Sequence, residues 1–216
     1  MSSAHYIDSK KTVKATGITN FRERIIYSTL SGRPLRITDI RSSSDFPGLT
    51  DYETNFLKLI ELISNGSKIE VNETGTTLHY EPGVIIGGKK LTHECHRGRA
   101  IGYYLEALLC LAPFAKKATE ITLEGITNDN VDVSVDTFRV CTIKLLRHFG
   151  LEEGVDLKIL RRGAPPEGGG AVQFTCPVPA TPPLFLSSAD TSSDLSLFFC
   201  FLSTIGCQAA PSHHSC

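Results

Sequence analysis

Apolar residues recur at helical spacing between Ile18 and Leu30, at Phe21, Ile25, Ile26 and Leu30, and Ser31-Gly32-Arg33-Pro34 then stops the helix. Leu35 to Arg41 alternates as a strand. Thr50-x-x-Glu53 is a capping box, and Tyr52, Phe56, Ile60 and Ile63 follow on one helical face until Asn65-Gly66 closes it. Lys68 to Asn72 and Thr77 to Tyr80 are β-rich runs around Thr74-Gly75-Thr76, which predicts a hairpin.

The same order returns about ninety residues further on. Ala100 to Ala112 predicts a helix ended by Pro113, Thr119 to Leu123 a strand, and Val135 to Phe149 an amphipathic helix ended by Gly150. Leu157 to Leu160 and Val172 to Cys176 predict two strands around a Gly-Pro-rich turn, and Lys90 to Glu94 a further strand in front. The fold class is therefore α/β (α+β), built from two repeated helix-strand-helix-strand-strand units, each a sheet covered by helices. The expected divisions are a flexible N terminus over 1–15, a first unit over 16–83, a second over 84–178, and a tail over 179–216. From Pro177 on there are four prolines before Leu184, and the tail has no basic residue and one short apolar run, Leu195 to Leu202, and reads as low-complexity and disordered.

Composition changes this picture little, since 41% apolar and 21% charged residues suit an ordinary globular chain. The net charge of -1 hides an uneven distribution: residues 1–48 hold eight Lys/Arg against four Asp/Glu, whereas residues 179–216 hold none against two. A basic first portion permits an RNA partner without requiring one. The seven cysteines include no CxxC pair and no Cys/His group at zinc-ligand spacing, so no metal site is expected, and reduced thiols in an intracellular protein fit. The N terminus lacks the apolar core of a signal peptide, and no run is long enough to span a bilayer, so no membrane partner is expected.

Three segments, Leu30-Ser-Gly-Arg-Pro-Leu-Arg-Ile37, Ile40-Arg-x5-Pro-Gly-Leu49 and Arg161-Arg-Gly-x2-Pro-x-Gly-Gly-Gly170, together resemble the RNA 3′-phosphate cyclase superfamily in order and spacing. Asn65-Gly-Ser67, Thr74-Gly-Thr-Thr77, Gly102-Tyr-Tyr-Leu105, Leu111-Ala-Pro-Phe114 and Gly125-Ile-Thr127 are similar to its non-cyclising, cyclase-like branch. The resemblance covers about residues 16–178 and implies a longer family fold, of which this chain is a C-terminally truncated version with an unrelated tail. It also implies repeated units like the C-terminal domain of a bacterial translation initiation factor. True cyclases form an adenylate on a histidine near the C terminus of a longer chain, and His213 and His214 lie in the tail, so neither carries that role.

Where cyclases have a glycine run before the first helix, this chain has Thr16-Gly17-Ile18-Thr19, and where they have Thr-Ala-Gly-Ser it has Arg97-Gly98-Arg99-Ala100. Consecutive glycines let backbone N–H groups close on phosphate, and β-branched residues restrict that approach, so a nucleotide cradle is expected to be lost and no cofactor is assigned. Guanidinium groups suit phosphate recognition, which makes Arg22, Arg41, Arg97, Arg99, Arg161 and Arg162 the RNA- or phosphate-contact candidates. Arg24, Arg33 and Arg36 rank below Arg22 and Arg41, which align with family arginines. Asp45 and Asp51 are weak acidic candidates for metal binding or water activation, although turn chemistry accounts for them as well. Asn128-Asp129-Asn130 with Asp132 and Asp136 reads as a polar loop feeding a helix, and no residue is assigned as catalytic.

The resemblance implies a ribosome biogenesis factor in early small-subunit (18S) pre-ribosomal RNA processing, an RNA- and protein-binding assembly module of the nucleus and nucleolus. Its implied partners are pre-ribosomal RNA, a ribosome-assembly GTPase and small-subunit processome proteins. The alternatives left open are an RNA-processing enzyme, either a pre-rRNA endonuclease or a residual RNA 3′-phosphate cyclase, and an inactive truncated variant.

Overall fold

The computed structural model describes residues 11–148, 151 and 154–178. The tail and the Gly150 helix stop lie outside the described residues. The chain divides into two units, Met1–Ile85 and Ile86–Cys216.

In the first unit, β1 (Val13–Thr16), α1 (Phe21–Ser31), β2 (Leu35–Thr38), α2 (Asp51–Ile63), the two-residue β3 (Ser64–Asn65), β4 (Lys68–Val71), β5 (Leu78–Glu81) and the short β6 (Val84–Ile85) follow in chain order. Four of them form one sheet in the order β1-β2-β5-β4, and β3 pairs separately with β6. β1 runs parallel to β2, and both other pairings are antiparallel. Alternation places Leu35, Ile37, Leu78 and Tyr80 on the buried face of the sheet. Helical spacing does the same for Ile25 and Ile26 of α1 and for Phe56, Leu57 and Ile60 of α2. Phe21 and Phe56 meet edge to face at 6.2 Å, and Thr29 Oγ1 lies 2.8 Å from the buried Tyr80 hydroxyl, which fixes α1 against the sheet.

In the second unit, β7 (Lys90–Glu94), α3 (Ile101–Leu111), β8 (Thr119–Gly125), a broken helix, β9 (Asp156–Arg161) and β10 (Gly170–Cys176) repeat the plan. The sheet order is β7-β8-β10-β9, with β7 parallel to β8 and the other pairs antiparallel, so both units share one topology. The duplication read from the sequence is therefore real at the level of strand order. Its core joins Ile121, Leu123, Leu157, Val172 and Phe174 from the strands to Tyr104, Leu105 and Leu108 from α3.

Three details differ from the sequence reading. Val13–Ala15, expected in a flexible N terminus, belong to strand β1, whose partner Leu35–Thr38 is remote in sequence. The expected helix from Val135 is α4 (Val135–Thr137), a five-residue π segment (Phe138–Thr142) and α5 (Ile143–His148), since the Ile143 N–H reaches back to the Phe138 carbonyl. In β9 the pairing slips between Val172 and Ala171, which bulges Leu160 outward. No helix among the described residues is long and apolar enough to cross a membrane.

Candidate phosphate-contact site

Loops that leave the C-terminal ends of the parallel strands carry three of the six candidate arginines, Arg41, Arg97 and Arg99. In the first unit, the loop from β1 to α1 turns at Gly17 (φ 70°) and Asn20 (φ 53°), and the loop from β2 to α2 turns at Asp39 (φ 57°) and Arg41 (φ 47°). Left-handed backbone at a non-glycine residue costs about 1–3 kcal/mol, so it persists only where neighbours hold it.

Those neighbours are visible at Arg41. Its guanidinium donates from Nη1 to the Gly48 carbonyl (3.0 Å) and to Glu53 Oε2 (2.8 Å), and from Nη2 to Glu53 Oε1 (2.7 Å). The Glu53 side chain is only 5% exposed and also accepts the Thr50 N–H at 2.9 Å, completing the capping box of α2. The loop is stapled to the β4–β5 hairpin: Ile40 N–H donates to the Thr76 carbonyl (3.0 Å) and Leu49 N–H to the Gly75 carbonyl (3.1 Å). Gly48 must be glycine, because a Cβ would sit 2.4 Å from the Thr74 carbonyl oxygen. Asn72 in turn shapes the hairpin, donating to the Thr74 and Thr76 hydroxyls and accepting the Thr77 N–H.

The segment that replaces the glycine run is equally occupied. The Gly17 N–H donates to the Thr38 carbonyl (2.8 Å), and the Gly17 carbonyl accepts Arg24 Nη1 at 2.8 Å. Both polar groups of the one remaining glycine thus serve the fold. Arg22 lies half-buried in the first turn of α1.

In the second unit, Arg99 grips Asp132 through Nε (3.1 Å to Oδ1, 2.9 Å to Oδ2) and through Nη2, and its guanidinium lies 4.5 Å from the Tyr103 ring centre. Asp132 Oδ2 also accepts the Ala100 N–H at 2.9 Å, capping α3. Arg97 is exposed on the same turn. Arg162 forks onto Asp136 at 2.7 and 2.8 Å, and this holds the Asp136 carboxyl down at a pKa of about 2. Arg161 Nε bonds the Gly169 carbonyl across the β9–β10 turn.

The structure thus joins Arg41, Arg99 and Arg162 to carboxylates and Arg161 to backbone, while Asp45 and Asp51 are exposed, Asp51 opening α2. Asp129 accepts the N–H groups of Val131 and Asp132, so the Asn128–Asp132 stretch is a turn that presents Asp132 to Arg99. Among the described residues no group of three or more His, Cys, Asp or Glu is placed to hold a metal ion. Lys14, not singled out from the sequence, lies exposed beside Arg36 in the parallel β1–β2 register. The available signal was the matched alternation of Val13-Lys14-Ala15 and Leu35-Arg36-Ile37.

The described chain is a duplicated α/β unit whose loops hold their own guanidinium groups, and residues 13–214 match the RNA 3′-terminal phosphate cyclase family. The chain belongs to that family. The match runs past residue 178, where the motifs read from the sequence end. The chain is similar to the "Probable RNA 3′-terminal phosphate cyclase-like protein" of Dictyostelium discoideum, with 57% identity over 77% of this chain and 45% of that protein. It is 55% identical to the RNA 3′-terminal phosphate cyclase-like protein of Mus musculus over 75% of this chain and 43% of that protein. It is also 42% identical to rRNA processing protein rcl1 of Schizosaccharomyces pombe over 79% of this chain and 48% of that protein. The chain thus spans under half the length of these relatives.

Proposed function

We propose that this chain is a non-cyclising ribosome biogenesis factor, an RNA- and protein-binding assembly module in early small-subunit (18S) pre-ribosomal RNA processing. The observation that carries the reading is its 42% identity, over 79% of the chain, to a protein named for rRNA processing. Geometry supports the non-cyclising part. The Gly17 N–H that a phosphate cradle would use is spent on the Thr38 carbonyl, and the Arg41 and Arg99 guanidinium groups are closed on buried carboxylates. Arg22, Arg97, Arg161 and Arg162 stay proposed contacts for RNA phosphate, Arg41 and Arg99 acting chiefly as clamps that shape the loops beside them. The proposed partners are pre-ribosomal RNA, a ribosome-assembly GTPase and small-subunit processome proteins, in the nucleolus.

Depletion of the chain from its own cells, followed by hybridisation to pre-ribosomal RNA, tests this. Accumulation of small-subunit precursors, reversed by re-expression, is the expected result, and unchanged precursor ratios would overturn it. Cyclisation of a 3′-phosphorylated RNA by the purified chain with ATP would overturn the non-cyclising part alone.

A further inference from the structure

In the first unit, α1 and α2 cover the face of the sheet that carries Leu35, Ile37, Leu78 and Tyr80. The register sets the side chains of the opposite face in a row. Lys14 of β1 pairs with Arg36 of β2, Arg36 with His79 of β5, and His79 with Glu70 of β4. Lys14 and Arg36 are exposed, and the His79 side chain is 33% exposed. Neighbouring strands lie about 4.8 Å apart, so the Lys14, Arg36 and His79 backbones span about 10 Å.

Two like charges directly opposite one another destabilise a sheet. Glu81 is the acid nearest this row that forms ion pairs, and it is engaged with His79 (3.5 Å) and Lys68 (3.6 Å). Among the described residues no carboxylate pairs with Lys14 or Arg36.

The second unit is an internal control, because it has the same topology and the same open face. There the cross-strand rows read Lys90–Glu120–Thr175–Asp156 and Thr92–Thr122–Gln173–Lys158. Lys90 has Glu120 at 3.1 Å, Lys158 has Asp156 at 3.8 Å, and Gln173 donates to Glu120 at 2.8 Å. The third row, Glu94–Glu124–Ala171–Arg161, sets two acids opposite one another, so among the described strands only the first sheet places two cations, Lys14 and Arg36, directly opposite, with Glu70 two strands away from Arg36.

We propose that the open face of the β1-β2-β5-β4 sheet binds the sugar–phosphate backbone of RNA, with Lys14 and Arg36 as the principal phosphate contacts. The inference rests on the RNA-processing reading above and adds the surface. The one aromatic ring in the Lys14–Arg36–His79–Glu70 row is the His79 imidazole, which is engaged with Glu81 at 3.5 Å, so recognition is chiefly of charge rather than of sequence.

The test uses the purified full chain and a labelled single-stranded RNA of mixed sequence, titrated by fluorescence anisotropy between ~50 and ~200 mM salt. Lys14→Ala with Arg36→Ala is compared with Lys90→Ala with Lys158→Ala, which removes equal charge from the second sheet. The first pair is expected to weaken binding roughly tenfold or more and to lower the slope of log K against log salt by about 1.4, at ~0.7 per lost phosphate contact. The second pair leaves both unchanged. Equal loss in both double variants, or no loss in the first, would overturn the assignment of this face while leaving RNA binding by another surface intact. Failure of the unaltered chain to bind RNA at any salt would overturn both the surface and the RNA-binding reading. If a polyglutamate peptide of equal charge displaces the RNA with the same dependence on Lys14 and Arg36, the partner is an acidic protein segment and the RNA proposal falls.

Discussion

Arg41 and Glu53 face each other fork to fork, with nitrogen–oxygen distances of 2.8 and 2.7 Å, and the same carboxylate accepts the Thr50 N–H at 2.9 Å. One buried acid thus holds a left-handed arginine and starts a helix. Arg99 and Asp132 repeat the device in the second unit, where the carboxylate caps α3 through Ala100, and the exposures of the two pairs are the same, 23% and 5%.

Glu53→Ala removes both functions at once and leaves the Arg41 guanidinium without its acid. Breaking a buried pair from one side costs about 3 kcal/mol. Glu53→Gln keeps an acceptor for the Thr50 N–H and costs less. Urea unfolding of the purified chain measures both, and a loss under ~1 kcal/mol for the alanine variant would class the pair with surface ion pairs.

Two glycines separate steric from conformational need. At Gly102 a Cβ would stand 2.0 Å from the Val133 carbonyl oxygen, whereas at Gly32 (φ 66°) nothing lies within 4 Å. Gly102→Ala therefore forces α3 away from that loop and is expected to cost about 3 kcal/mol. Gly32→Ala costs only the left-handed penalty, about 1 kcal/mol. Thermal unfolding of the two variants should keep that order, and the reverse order would contradict the packing at Val133.

The Arg162 fork lowers the Asp136 carboxyl from 3.8 to about 2. A depressed folded-state pKa means that the pair stabilises fully above the unfolded value. That contribution is lost as pH falls from about 4 through about 2. Asp136→Asn should flatten the stability profile in that window and leave the slope near neutrality unchanged. Both groups are substantially exposed, so added salt should shrink the effect.

Among the described cysteines, Cys95, Cys110 and Cys176 are buried and Cys141 is exposed. Burial pushes the Cys95 thiol up and takes Cys176 to about 12, so neither forms thiolate near neutral pH. Iodoacetamide treatment of the native chain, read peptide by peptide, should label Cys141 first of these four. Labelling of Cys95 at a comparable rate would show that the β7–α3 turn opens in solution.

Much of the fold was legible because its signals are local. The Thr50-x-x-Glu53 box, the Pro113 stop and the alternation of Lys90–Glu94 each lie within a few residues, and the repeated order pointed to the duplication. β1 was missed because four residues gain strand character only by pairing with Leu35–Thr38. The π segment was missed because Phe138–Thr142 contains neither Pro nor Gly to mark a break. The loop pairs were beyond spacing arguments. Arg99 and Asp132 are 33 residues apart, and the Asp129 turn that joins them is set by backbone geometry. Glu53 was read correctly as a cap, but its grip on Arg41 depends on where Gly48 lets the loop pass the Thr74 hairpin.

Each four-stranded sheet finds all its partners within its own stretch of chain, the first between Val13 and Glu81 and the second between Lys90 and Cys176. During synthesis, the first sheet can close as soon as Glu81 has cleared the exit tunnel, before any strand of the second has emerged. A nascent chain organised this way never holds its first sheet open for a strand of the second.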